Sequence, residues 1–155
     1  IIVDKFANMD IAIPGIAFGS VGTAGQRCTT TRRIICHESR VDELKQKLVH
    51  AYKQVRIGDP LDPDTLMGPV IDEASLERVE AAVEAVKDAG GEILCGGERV
   101  DRPGNFITPV IAVAKNEWDI VQSETFGPIL YIMTYTDLDD ALRYLDYAMG
   151  IEERL

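Results

Sequence analysis

The sequence predicts an α/β fold of three layers, a largely parallel sheet flanked by helices. Two observations predict it. Short apolar runs alternate with longer stretches whose apolar residues recur at helical spacing. Along the chain the order is strand, helix, strand, helix, helix, strand, strand, strand, helix, and helices recurring between apolar strands build parallel sheets.

Each element has its own local reason. Ile1-Ile2-Val3 opens a strand that ends at Asp4. Residues 10–24 read as a helix carrying Pro14, which a helix tolerates only in its first turn, and weakened by Gly15, Gly19 and Gly22. Those small residues share roughly one face, so this helix is expected to approach another backbone closely. Residues 32–37, Arg-Arg-Ile-Ile-Cys-His, read as a buried strand. Ser39 suits the cap of the next helix, about 41–55, in which Leu44, Leu48 and Tyr52 are spaced by four. A breaker-rich loop, 58–64, precedes a second long helix over 73–89. There Leu76, Val79, Val83 and Val86 form an apolar stripe, and Gly90-Gly91 ends it. Residues 92–95 form a short strand closed by Gly96-Gly97. Residues 106–113 form another, where Pro109 points to an edge or a bulge. Residues 129–135 are a strong strand, and Thr136 with Asp139 suits a capping box for a final helix to about 149. There is no internal repeat and no low-complexity segment.

The chain has 155 residues, which suits one domain spanning 1–155. Hydrophobic residues make up 46% and charged residues 27%, so the composition is globular. A net charge of −10 argues against a nucleic-acid partner. Lys45, Lys47 and Lys53 do not form a basic cluster, because Glu43 and apolar residues separate them. No apolar run approaches the roughly 18 residues of a membrane span, and no signal-peptide pattern is present. The first residue is not Met, so an upstream segment is expected to have been removed or left out. Cys28, Cys36 and Cys95 are odd in number and widely spaced without a Cys-x-x-Cys, which suits neither a disulfide framework nor a metal site. The expected compartment is the reducing cytoplasm.

The most informative stretch is Phe18 to Arg33, F-G-S-V-G-T-A-G-Q-R-C-T-T-T-R-R. A small-residue run delivers Cys28 just past a glycine-rich helix end, and Gly25 permits a tight backbone path. Arg27, Arg32 and Arg33 bring positive charge, which favours the nucleophilic thiolate. The competing reading is a buried structural cysteine, the commoner fate of a free thiol. Cys36 and Cys95 read as core. His37 and His50 are possible bases for a Cys-His hydrolase, but one follows a strand and the other lies within a helix. Trp118 reads as a packing anchor. The paired glycines at 90–91 and 96–97 lack the G-x-G-x-x-G spacing of a dinucleotide fingerprint.

Gly25-Gln26-x-Cys28, with Phe18 before it and Arg32 after it, resembles the active-site cysteine signature of the aldehyde dehydrogenase superfamily. The longer string Gly22-Thr-Ala-Gly-Gln-Arg-Cys-Thr-Thr is similar to the antiquitin branch, the semialdehyde dehydrogenases of lysine breakdown. His37-Glu38-Ser39, Gly58-Asp-Pro, Gly68-Pro69, Arg102-Pro-Gly-Asn105 and Glu124-Thr-Phe126-Gly127-Pro128 keep family-like order and spacing, so the likeness covers about residues 1–143.

The resemblance implies a truncated part of the catalytic domain, with Cys28 as nucleophile and its own N–H helping to hold the oxyanion. It implies that Glu124 binds the nicotinamide-ribose hydroxyls and that Phe126 packs near the nicotinamide. Arg27 immediately precedes the nucleophile, where a guanidinium suits a substrate carboxylate. Its alternative roles are to lower the thiol pKa or to form a structural pair. The family's general-base glutamate, an oxyanion-hole asparagine, the dinucleotide-binding domain and the oligomerising segment fall outside this sequence. The expected reaction of the complete enzyme is therefore NAD- or NADP-dependent oxidation of an aldehyde, in a homo-oligomer. The isolated chain is expected to bind no cofactor and to lack dehydrogenase activity. The alternatives are a non-catalytic, self-associating remnant and a cofactor-independent thiol esterase.

Overall fold

In the computed structural model, which describes residues 1–148, five strands form one sheet. They are β1 (Ile2–Val3), β2 (Arg33–His37), β3 (Glu92–Cys95), β4 (Val110–Val113) and β5 (Ile129–Tyr135). Their spatial order is β1-β2-β5-β4-β3. All neighbours run parallel except β3 and β4, which are antiparallel. The late strand β5 takes the middle because its sequence suits a position covered on both faces: Ile129 through Met133 are buried one after another.

Five helices make the connections: α1 (Met9–Val21), α2 (Val41–Tyr52), α3 (Glu73–Asp88), α4 (Asp119–Gln122) and α5 (Leu138–Ala148). Helix α1 packs on α2 and β5, α2 on β3, α3 on β3 and β4, and α5 on β5. The two apolar stripes face inward, since Leu44, Leu48 and Tyr52 of α2 and Leu76, Val79, Val83 and Val86 of α3 are all buried. Each such side chain contributes about 1.5–3 kcal/mol of transfer free energy. Tyr52 also locks α2 to α1, because its hydroxyl lies 2.7 Å from the buried Ser20 hydroxyl. This is the expected α/β architecture, a largely parallel sheet flanked by helices. Among the described residues no helix is long and apolar enough to cross a membrane.

The differences are local. Helix α1 starts at Met9, with the Asn8 side chain accepting from the Asp10 N–H, so Pro14 lies in the second turn, not the first. The proline removes the bond to the carbonyl of Asp10, an exposed residue that water can reach. Only one of the three small residues is closely approached: a Cβ on Gly19 would lie 2.7 Å from Thr31 Oγ1, whereas Gly15 and Gly22 face open space. Ser39 is not the cap before α2. His37 Nδ1 accepts from the Ser39 N–H, and a short 3-10 turn, Glu38–Arg40, leads into the helix. Asp137, not Thr136, caps α5, its Oδ1 accepting from the Asp140 N–H. Strand β4 begins only after Pro109 and lies inside the sheet; the irregularity falls across the ladder, between Ile93 and Cys95. Cys95 is half-buried, less enclosed than the fully buried Cys36. Helix α4 has four residues, too few for any periodic signal. Position 149, the expected end of the last helix, lies outside the described residues.

Candidate active site

Between α1 and β2 the backbone makes a left-handed turn. Thr23, Ala24 and Gly25 have φ of 53°, 52° and 69°. For Thr and Ala this conformation costs about 1–2 kcal/mol each, so surrounding contacts must impose it. Gly25 is the pivot. Its backbone lies against Gly127, and a Cβ on Gly25 would stand 2.1 Å from the Gly127 carbonyl oxygen. Gln26 braces the turn from within, donating from its backbone and side-chain nitrogens to the Thr23 carbonyl at 3.1 and 3.3 Å. Its Oε1 accepts from the Ile71 N–H at 2.9 Å, which ties the turn to the chain ahead of α3.

The next four residues close on themselves. The Arg27 N–H donates to Thr30 Oγ1 and the Thr30 N–H donates to the Arg27 carbonyl, both at 3.1 Å. Cys28 sits at the tip of this small loop and is exposed. It is not a buried structural thiol. Among the described residues no acceptor takes its backbone N–H, which leaves that donor open to a ligand.

The facing wall is Glu124-Thr-Phe-Gly127, between α4 and β5. Arg32, only 11% exposed, joins the two walls. Its Nη1 donates to the Gly25 carbonyl and its Nη2 to the Arg27 carbonyl, each at 3.0 Å. Its Nε and Nη2 both approach Glu124 Oε1, at 3.2 and 2.9 Å. The same guanidinium lies 5.2 Å from the centre of the half-exposed Phe126 ring. A cleft of about 380 Å³ opens here, lined by Cys28, Thr29, Thr31, Arg33, Ile35 and Glu124 among others.

The structure thus brings Cys28 and Glu124 to one cleft, whereas Phe126 does not line it and lies against Arg32. Arg27, the residue before Cys28, is exposed and does not line the cleft, and among the described residues its guanidinium has no partner. The other two cations differ from the expectation that they would surround the thiol with free charge. Arg32 is matched by Glu124, and Arg33 turns its Nε to the Val121 carbonyl at 2.8 Å. Neither histidine lines the cleft: His37 pairs with Ser39, and His50 borders a separate apolar groove of about 810 Å³ between α1 and α2. That groove is larger, but no cysteine lines it. Among the described residues no group of three potential ligands is placed to hold a metal ion.

The bracing roles of Gln26 and Arg32 are not signalled by the sequence. Arg32 is visible there as a charge near Cys28 and as a residue of the cysteine motif, but not as a brace, because its ion-pair partner lies 92 residues away in the chain.

Together the fold and the site define an α/β unit in which a solvent-reachable cysteine and a carboxylate line one cleft. The model of the aldehyde dehydrogenase family matches residues 1–148, and the chain belongs to that family. It is 44% identical over 142 residues to aldehyde dehydrogenase family 7 member A1 of Malus domestica, covering 92% of this chain and 28% of that protein. It is 39% identical over 145 residues to α-aminoadipic semialdehyde dehydrogenase of Mus musculus, covering 93% and 27%. Among solved structures, HpcC of Thermus thermophilus superposes with a TM-score of 0.90 at 33% identity, covering 94% of this chain and 30% of that one. Betaine aldehyde dehydrogenase of Staphylococcus aureus in complex with NAD⁺ does so with a TM-score of 0.90 at 29% identity, over the same shares. The chain therefore spans under a third of the length of these relatives.

Proposed function

We propose that this chain carries the nucleophile portion of an NAD(P)-dependent aldehyde dehydrogenase site. The observation that carries this reading is an exposed Cys28 on the lip of the same cleft as Glu124. The Cys28 thiolate adds to the aldehyde carbon, forming the C–S bond and moving the carbonyl π pair to oxygen. The free Cys28 N–H holds that oxyanion. In the complete enzyme a nicotinamide cofactor held by Glu124 would supply the hydride acceptor, so that the adduct on Cys28 would be oxidised to a thioester. Water then cleaves the C–S bond, releasing the carboxylic acid and restoring the thiol.

Glu124 suits the cofactor ribose. Arg32 engages its Oε1 alone, so Oε2 is a free carboxylate acceptor toward a hydroxyl pair. Phe126 supplies an apolar surface next to it. Arg27 receives the carboxylate of an acidic semialdehyde, because its guanidinium is unengaged and adjacent to the nucleophile. By itself the chain is proposed to bind no cofactor and to form no NAD(P)H, since its residues supply the thiol and few of the cofactor contacts. Its proposed setting is a cytoplasmic homo-oligomer.

The test uses the chain itself. An activated ester such as p-nitrophenyl acetate should acylate Cys28, detected as a mass increase that Cys28→Ala abolishes. Iodoacetate should alkylate Cys28 faster relative to iodoacetamide than it alkylates a free thiol, and Arg27→Ala should remove that preference. An unreactive Cys28 would overturn the nucleophile assignment. An unchanged reagent ratio in Arg27→Ala would overturn the carboxylate site. Turnover of the ester without cofactor would instead favour the thiol-esterase reading, which rests on the same exposed sulfur. The self-associating reading rests on Phe6, Ile11, Phe18 and Ile71, each more than 70% exposed.

A further inference from the structure

We propose that Arg32 is a positioning residue that fastens the Cys28 turn to the Glu124–Phe126 segment, so that the pose of the thiol depends on Glu124. The guanidinium is a planar fork of five N–H donors. Its bonds divide between two pieces of chain. Two go to carbonyls three residues and one residue before the nucleophile, those of Gly25 and Arg27. The others reach Glu124 Oε1 and, at 3.5 Å, the Thr125 carbonyl, while the Phe126 ring lies beneath.

The alternative, an ordinary surface ion pair, does not fit. A solvated pair leaves its arginine exposed and contributes little. The Arg32 side chain is 11% exposed and also serves backbone carbonyls that would lose their donors if it moved. Nor does Arg32 act as a free cation beside the thiol, because the Glu124 carboxylate balances it. A lysine cannot replace it, since a single ammonium does not span four acceptors on two segments. Under the dehydrogenase reading, on which this part rests, a ribose on Glu124 Oε2 leaves Oε1 on Arg32. Ribose recognition and thiol placement then become one mechanical unit.

The test is site-resolved amide exchange in the 155-residue chain, which needs neither cofactor nor turnover. The Gln26 and Thr30 amides report the turn, through their bonds to the Thr23 and Arg27 carbonyls. The β5 amides report the fold. Arg32→Met should raise exchange at Gln26 and Thr30 about tenfold, as expected for losing a charged hydrogen bond. Arg32→Lys should not restore the wild-type rates. Glu124→Gln should raise exchange at the same two amides about threefold, with β5 unchanged, the smaller effect of a partly solvated partner. A purely local role for Arg32 would leave them untouched in Glu124→Gln, and that result, or rescue by Arg32→Lys, overturns the proposal. Should Arg32→Met lose β5 protection, the other two variants decide it, since the Glu124 side chain is 58% exposed. Wild-type exchange in Glu124→Gln with an acylable Cys28 removes the brace and keeps the nucleophile. Accelerated exchange with an inert Cys28 removes the nucleophile and keeps the brace.

Discussion

Replacing Gly25 by alanine should be among the most damaging single-methyl additions to this chain. The new Cβ would lie 2.1 Å from the Gly127 oxygen, 2.3 Å from its carbon and 2.7 Å from the Pro128 nitrogen. All three are backbone atoms leading into β5, so no side chain can swing aside. Ordinary contact begins more than 3 Å away, and the two segments must separate by about 1 Å, an overpacking cost of about 1–3 kcal/mol. At φ of 69° an L-residue adds about 1 kcal/mol. The total, about 3 kcal/mol, corresponds to a melting-temperature drop of roughly 6–12 °C for a domain of this size. Urea unfolding followed by the fluorescence of the single Trp118 measures it. Gly15→Ala is the control. It adds the same methyl within α1 where nothing lies within 4 Å, and should stabilise by about 0.5–1 kcal/mol. If Gly25→Ala unfolds within about 0.5 kcal/mol of wild type, an ordinary surface effect, the close approach does not hold the turn, and the account of how Cys28 is presented fails.

Three further outcomes are expected. Iodoacetamide at pH 8 followed by peptide mass mapping should label Cys28 at least about a hundredfold faster than Cys36, which is fully buried and whose thiol burial pushes up to about 11; comparable rates would contradict the structure. Ser20→Ala strands the buried Tyr52 hydroxyl and should cost about 1–3 kcal/mol, with Tyr52→Phe in the same chain recovering most of it. Stability should fall as pH rises above about 9: burial raises the Cys36 thiol from 9.0 and also raises the Tyr52 hydroxyl. The unfolded chain then releases those protons first, so their contribution is whole below the unfolded values and is lost on the alkaline side. Urea titrations at pH 8 and 10.5 should show this slope, and Cys36→Ala should flatten it.

The sheet and its helices were legible because burial and periodicity are local in sequence. The run Ile129–Tyr135 declares a covered strand, and the stripe Leu76–Val86 declares one buried helix face. Cys28 and Glu124 were found through the likeness of their motifs, and the cleft joins them. What escaped was made by partners distant in sequence. Nothing in Thr23 or Ala24 signals a left-handed backbone, since neither residue type prefers it, and nothing local to Gly25 signals that Gly127 abuts it. Gln26 is a motif letter until Ile71 supplies its donor. The choice of His37 over Ser39, and of Asp137 over Thr136, turned on offsets of two residues and one, which propensities do not resolve.

The pairing of β2 with β5 has a kinetic consequence. Arg33 and Tyr131 become neighbours only after roughly 100 residues of intervening chain are gathered in, and such closures come late and slowly. The thiol and the carboxylate flank that same junction. A growing chain therefore holds a cysteine with no opposing wall until the segment that carries Glu124 has been made and docked.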